Sequence, residues 1–202
     1  MNMKVLIVSK TRLYNERCVG GLREDGQSVR LLTPQGNNQP LNTQFDVGDV
    51  WELDMTPRPN CVPPHVEDVL VTGQEYVDEC ENLTEELLQR VAPWEGGPDS
   101  LFDGHLRVTG NDHMYIRKPW VPDRSTWFWL PDRDLTLVKN GNKCYYAYPG
   151  GEEIKYVGLM QPIDSIPAKT LVRLSLARWW KQEGADDTLE ERCYLQLSGW
   201  YS

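Results

Sequence analysis

The first third of the chain alternates short apolar runs with turn residues, the pattern of β-strands separated by tight turns. VLIV within Lys4 to Ser9 predicts a buried strand. Cys18 to Arg23 and Gln27 to Thr33 flank Asp25-Gly26, a dipeptide suited to a hairpin turn because glycine accepts positive φ. Val50 to Leu53 and Val66 to Tyr76 supply two further strands, and the PRPNCVPPH between them carries too many prolines to join a ladder. The period then changes. In NLTEELLQRVA, Asn82 to Ala92, the residues Leu83, Leu87, Leu88 and Val91 form one helical stripe. Asn82 or Thr84 can cap that helix, Glu85 and Glu86 suit its positive end, and Pro93 stops it.

Strand patterning returns at residues 134–160, after a loop-rich passage. Asn140-Gly141 and Pro149-Gly150-Gly151 divide DLTLVKNGNKCYYAYPGGEEIKYVGLM into three strands of a meander. CYLQLSGWY, Cys193 to Tyr201, predicts a terminal strand. LVRLSLARWWK, Leu171 to Lys181, fits two periods. With period two, Val172, Leu174 and Leu176 share one face and Arg173, Ser175, Ala177 and Trp179 the other. With period 3.6 it is an amphipathic helix opened by Pro167 and closed by Gly184. The strand is the preferred reading, because the segment lies between a meander and a terminal strand.

About five strands precede the helix and five follow the loops, so the expected fold is mainly β, with two tandem OB-like five-stranded barrels and a connecting helix. The expected boundaries are 1–94 for the first barrel with its helix, 95–132 for a Trp/Pro-rich linker, and 133–202 for the second barrel. Five cysteines without a CxxC pair argue against a disulfide framework or a zinc ribbon and read as reduced thiols. No apolar run is long enough to span a membrane, so a cytoplasmic location is expected.

The formal net charge of −9 is unevenly spread. Six basic residues face three acidic ones in 1–40, two face fifteen in 41–104, twelve face seven in 105–182, and one faces five in 183–202. Two segments are therefore mildly basic, and either could meet phosphates, although the whole chain repels polyanions at long range. Eight tryptophans against three phenylalanines add a second signal, since Trp serves wide cores and stacking surfaces alike.

VLIVSKTR at the N-terminus, CVGGL followed by SVRLLTP, PPHVEDVLV, RLSLARWW and CYLQLSGWY resemble a bacterial family of dual OB-fold domains associated with conflict and anti-phage systems. The resemblance implies two OB-like barrels and a role in recognising nucleic acid or a nucleotide. The family pattern has a Trp before the Ile/Val-Arg pair of the hairpin. Here Ser28 precedes Val29-Arg30, so any ligand contact through that Trp is lost.

Three groups of residues are candidates for binding single-stranded nucleic acid or a nucleotide. In the strand reading, Arg173 and Trp179 bracket Ser175 and Ala177 as a shallow stacking floor, with Arg178 nearby and Trp180 turned inward. Arg117, Lys118, Trp120 and Arg124, with Trp127 and Trp129, form a loop cluster whose alternative is a linker sealed by its tryptophans. Lys10, Arg12 and Arg30, with Ser9 and Arg17, form a third group whose alternative is solvated strand ends. No catalytic signature, metal set or cofactor motif is present, so the expected function is a binding module without chemistry of its own. Two other readings remain: an adaptor docking a basic effector of a defence system through the acidic middle segment, and a metal-dependent nuclease built on Asp103, His105, Asp112 and His113. The spacing of His65, Glu67 and Asp68 is not that of zinc ligands.

Overall fold

The structure, a computed structural model, describes residues 2–184 and 190–202. The chain divides into two compact units, residues up to Ala92 with Tyr201, and Pro93–Trp200 with Ser202. No helix among the described residues is long and apolar enough to cross a membrane.

The first unit contains β1 (Asn2–Leu13), β2 (Glu16–Arg23), β3 (Ser28–Leu32), β4 (Gln39–Pro40), β5 (Asp49–Pro57), β6 (Asp68–Glu79) and α1 (Leu83–Arg90). Five of the strands close a ring in the order β1-β2-β3-β6-β5-β1, with β3 and β6 parallel and every other pair antiparallel. Counting the long strands along the chain, the order is 1-2-3-5-4, a Greek-key barrel of OB type. β1 makes closure possible. It pairs with β5 through Asn2–Leu6 and with β2 through Val5–Leu13, and its register shifts between Ile7 and Ser9, a bulge that bends one strand toward two partners. Val5, Ile7, Val19, Leu31, Phe45, Trp51 and Leu53 fill the interior.

The Asp25-Gly26 hairpin forms as its sequence predicts, with Gly26 at φ +78°; a Cβ there would run into the Arg90 carbonyl. Helix α1 is capped by Asn82, whose side chain accepts from the Glu85 N–H at 3.2 Å, and Leu87 is its buried anchor. The parallel β3–β6 seam is tied by side chains as well as backbone. Arg30 donates Nε and Nη2 to the two carboxylate oxygens of Asp68, at 2.6 and 2.7 Å, and Arg58 Nη1 lies 3.3 Å from the same group.

The second unit contains β7 (Trp94–Gly96), β8 (Arg107–Val108), β9 (Met114–Arg117), β10 (Thr126–Pro131), β11 (Leu135–Asn140), β12 (Lys143–Ala147), β13 (Glu153–Tyr156), β14 (Ser165–Ile166), β15 (Leu171–Leu176) and β16 (Arg192–Tyr201). Here the pairing path is β14-β11-β12-β13-β16-β15-β10-β7, with β13 parallel to β16. β10 runs into β11 through only Asp132–Asp134. Taken as one bent strand, β10 and β11 pair with β15 at one end and β12 at the other. The first barrel's strand order then recurs, closed through the chain rather than through a continuous ladder. Trp129, Tyr146, Phe102, Ile116, Ile154, Val172, Leu174, Leu195 and Leu197 make its core.

Residues 95–132 are not the linker expected from composition. They carry β8 and β9, which extend the sheet along β16, and β10, which pairs with β15. The physical reason is visible in TWFWLP: Phe128 and Trp129 are both fully buried, so this strand is covered on both faces and shows no alternation.

Candidate nucleic-acid interface

In the second unit the fourth barrel strand ends at Leu176 and the fifth begins at Arg192, and OB-folds commonly use the loop between these two strands for ligands. Its described start does not leave the sheet. Ala177 N–H donates to the Tyr194 carbonyl at 2.8 Å, and Trp180 and Arg192 exchange both backbone bonds, at 3.0 and 2.9 Å. On the opposite edge of β16, β9 sets Arg117 against Arg192, Ile116 against Cys193, and Tyr115 against Tyr194. Alternation then sorts the side chains. Ile116 and Cys193 enter the core, while Arg117, Tyr115, Arg192 and Tyr194 share the other face, beside Trp180.

That face is a cation–aromatic surface. The Arg192 guanidinium sits 4.2 Å from the Tyr115 ring centroid, Tyr115 and Tyr194 lie 6.0 Å apart, and Trp180 and Tyr194 6.1 Å apart. Trp180 keeps 53% of its surface exposed. Glu190 is the internal counter-ion: Arg117 Nη1 donates to it at 2.7 Å, the Tyr115 hydroxyl at 3.2 Å, and Arg192 Nη2 lies 3.5 Å away. Burial works against the Glu190 carboxylate, but the hydrogen bond and charge of Arg117, with Tyr115 and Arg192, outweigh it and hold its pKa below the ordinary range. The same hydrogen bond, with the Glu190 charge, raises Arg117, and burial raises Tyr115. One carboxylate therefore serves two guanidiniums, whose buried Nε atoms have no hydrogen-bond partner. The cluster keeps a positive charge next to an open ring.

The structure reverses the expected roles of the two tryptophans. Trp179 is half-buried against the second core, with the Lys118 ammonium 5.3 Å from its ring, and Trp180 points out. Period-two alternation cannot be carried past Leu176, where β15 ends. Leu171–Leu176 is a strand, as preferred, but Arg173 is not on an open floor: it is 4% exposed. Ser175 bonds the Ser198 hydroxyl at 3.0 Å, and Arg178 is exposed. In the loop cluster, Lys118 pairs with Glu191 at 3.1 Å, and Trp120 is 52% exposed and stacks on His105 at 4.8 Å. Arg124 is held by both Asp123 oxygens, at 2.9 and 3.0 Å, over the Trp127 ring, and its hydrogen bond keeps the Asp123 pKa low. Lys118 and Trp179, from two separate sequence candidates, thus meet in space.

The first unit's candidates are spent on carboxylates or apart. Lys10 reaches Asp46 at 2.8 Å, Arg30 is locked on Asp68, and Arg12 is exposed. His113 stacks on Tyr145 at 5.0 Å and lies 3.7 Å from Glu153. Among the described residues no three His, Cys, Asp or Glu side chains gather as a metal-ligand group. Sequence reasoning missed Tyr115, Glu190, Arg192 and Tyr194, and the alternation of MYIR and RCYLQ was the available signal for the strand residues among them.

Behind this face, burial pushes the Cys193 thiol up to about 12, against the pull of the Arg178 charge. An undissociated thiol is a poor nucleophile. Cys193 is therefore expected to resist iodoacetamide at mildly alkaline pH while the chain is folded and to react after denaturation, as peptide mass spectrometry will read.

A family model described as a dual OB-containing domain matches residues 3–200. No curated protein matches the chain. Two crystal structures resemble it at 10% identity: the p204 HINb domain, covering 98% of this chain and 96% of that one with a TM-score of 0.35, and the tetrameric p202 HIN2, covering 98% and 91% with a TM-score of 0.33. At these TM-scores neither likeness supports a further inference.

Proposed function

The chain belongs to the dual OB-containing domain family, and from that premise we propose that its second barrel binds single-stranded nucleic acid or a nucleotide. The supporting observation is the outward Trp180 beside Tyr194, with Arg117 and Arg192 flanking Tyr115. A base stacks on the open indole, since every base offers a π-face, and the guanidinium donors not used by Glu190 take the adjoining phosphates. Ring stacking and guanidinium–phosphate contacts read no base edge, so these residues select for unpaired bases rather than for sequence.

The net charge limits the ligand. With −9 overall and Glu190 and Glu191 beside the surface, long-range attraction of a polyanion is weak and affinity comes from short-range stacking. Short single strands and nucleotides fit this balance better than long duplexes. The experiment is fluorescence-anisotropy titration of the full chain with labelled single-stranded DNA and RNA and with a duplex of the same sequence; the single strands bind and the duplex does not.

A further inference from the structure

We propose that Arg173 is the cation of a second, buried site in the same unit, one that takes a tetrahedral oxyanion of the phosphate class. In β15, Val172, Leu174 and Leu176 belong to the core, so alternation puts Arg173 and Ser175 on the opposite face. The β10 register sets Phe128 against Arg173 and Thr126 against Ser175. Ser198 of β16 joins them through its hydroxyl contact with Ser175 at 3.0 Å.

The electrostatics of this cluster are unbalanced. Arg173 is only 4% exposed, its buried Nε has no hydrogen-bond partner, and no carboxylate among the described residues forms an ion pair with it. The Thr126 hydroxyl is likewise buried without a partner. Arginine cannot shed its proton, and a desolvated guanidinium is costly unless an anion answers it. Arg30 of the first barrel shows the ordinary solution, with Asp68 across the seam.

On this face Phe128 lies directly opposite Arg173, and the hydroxyls follow one pair along the register: Thr126 on β10 opposite Ser175, with Ser198 of a third strand bonded to Ser175. A guanidinium fork with hydroxyl donors spread over three strands suits a tetrahedral oxyanion, whereas a planar carboxylate would use the fork alone. The source is inorganic phosphate or the phosphoryl end of a nucleotide. The proposal is independent of stacking on Trp180, because inorganic phosphate has no ring.

The test is thermal unfolding of the full chain in increasing phosphate, against chloride at matched ionic strength, repeated with a nucleoside monophosphate. The wild type is expected to gain a saturable rise in Tm that Trp180→Ala leaves intact. Arg173→Gln should weaken the apparent phosphate affinity by about tenfold or more, the loss of a charge-assisted bond. Thr126→Val should weaken it too, and it carries the comparison if Arg173→Gln does not fold. With the Trp180 face removed by Trp180→Ala, a stronger response to the nucleotide that Arg173→Gln abolishes assigns its phosphoryl group as ligand, and an equal or weaker one assigns the free anion. If neither ligand raises the wild-type Tm beyond chloride, or if the variants respond as the wild type does, the site does not exist.

Discussion

Asp68→Ala is expected to destabilise the first barrel by about 3–5 kcal/mol, the cost of removing one partner from a buried ion pair. Asp68 is 3% exposed and receives two bonds from Arg30 and a longer one from Arg58. The pair lies where β3 and β6 run parallel, the one parallel seam of the ring. Without Asp68, the Arg30 guanidinium stays largely desolvated and has lost its carboxylate. Burial alone would lower the Arg30 pKa, and the Asp68 hydrogen bond and charge are among the interactions that raise it instead. Against an ordinary total of about 5–15 kcal/mol, such a loss is large. For a unit of this size it corresponds to a fall of roughly 10 °C or more in Tm, measurable by circular dichroism. A change below about 1 kcal/mol would mean that the seam rests on its backbone ladder and that the ion pair adds little.

Trp180→Ala is expected to weaken binding of single-stranded oligonucleotides by about 1–3 kcal/mol, roughly five- to 150-fold in Kd. Trp180 is the exposed ring of the cation–aromatic face, and its link to the sheet is the backbone exchange with Arg192, which alanine keeps. Stability should therefore change little, since more than half of the indole surface is already in water. Trp179→Ala should do the reverse. That ring packs on the core, so its loss costs stability first. The pair of variants separates the two adjacent tryptophans by role, in the opposite sense to simple alternation.

Much of the fold is legible in the sequence because the signals are local. Asp25-Gly26 and Asn140-Gly141 mark hairpins, Asn82 caps the helix, and LVRLSL alternates as a strand should. What escapes is whatever depends on distant partners. β10 shows no period because both its faces are covered, and β9 is four residues long and gains its identity from pairing with Arg192–Tyr194 far along the chain. Arg173 alternates correctly yet is buried, since polarity at a strand position says nothing about what lies over it. The candidate site is half-legible for the same reason. Arg117 and Lys118 stand out by composition. Tyr115, Arg192 and Tyr194 look like ordinary strand residues until β9 and β16 are laid side by side.

The most direct measurement of the central claim is the dependence of single-stranded oligonucleotide affinity on salt, followed by anisotropy for the wild-type chain and Trp180→Ala. Each phosphate neutralised on a single strand contributes about −0.7 to the slope of log K against log salt, so the two arginines of the face predict about −1.4 for both proteins. Trp180→Ala should shift the line to weaker binding without changing its slope. Binding that the substitution leaves unaltered, or a chain that binds no single strand even at low salt, would contradict the assignment of this face.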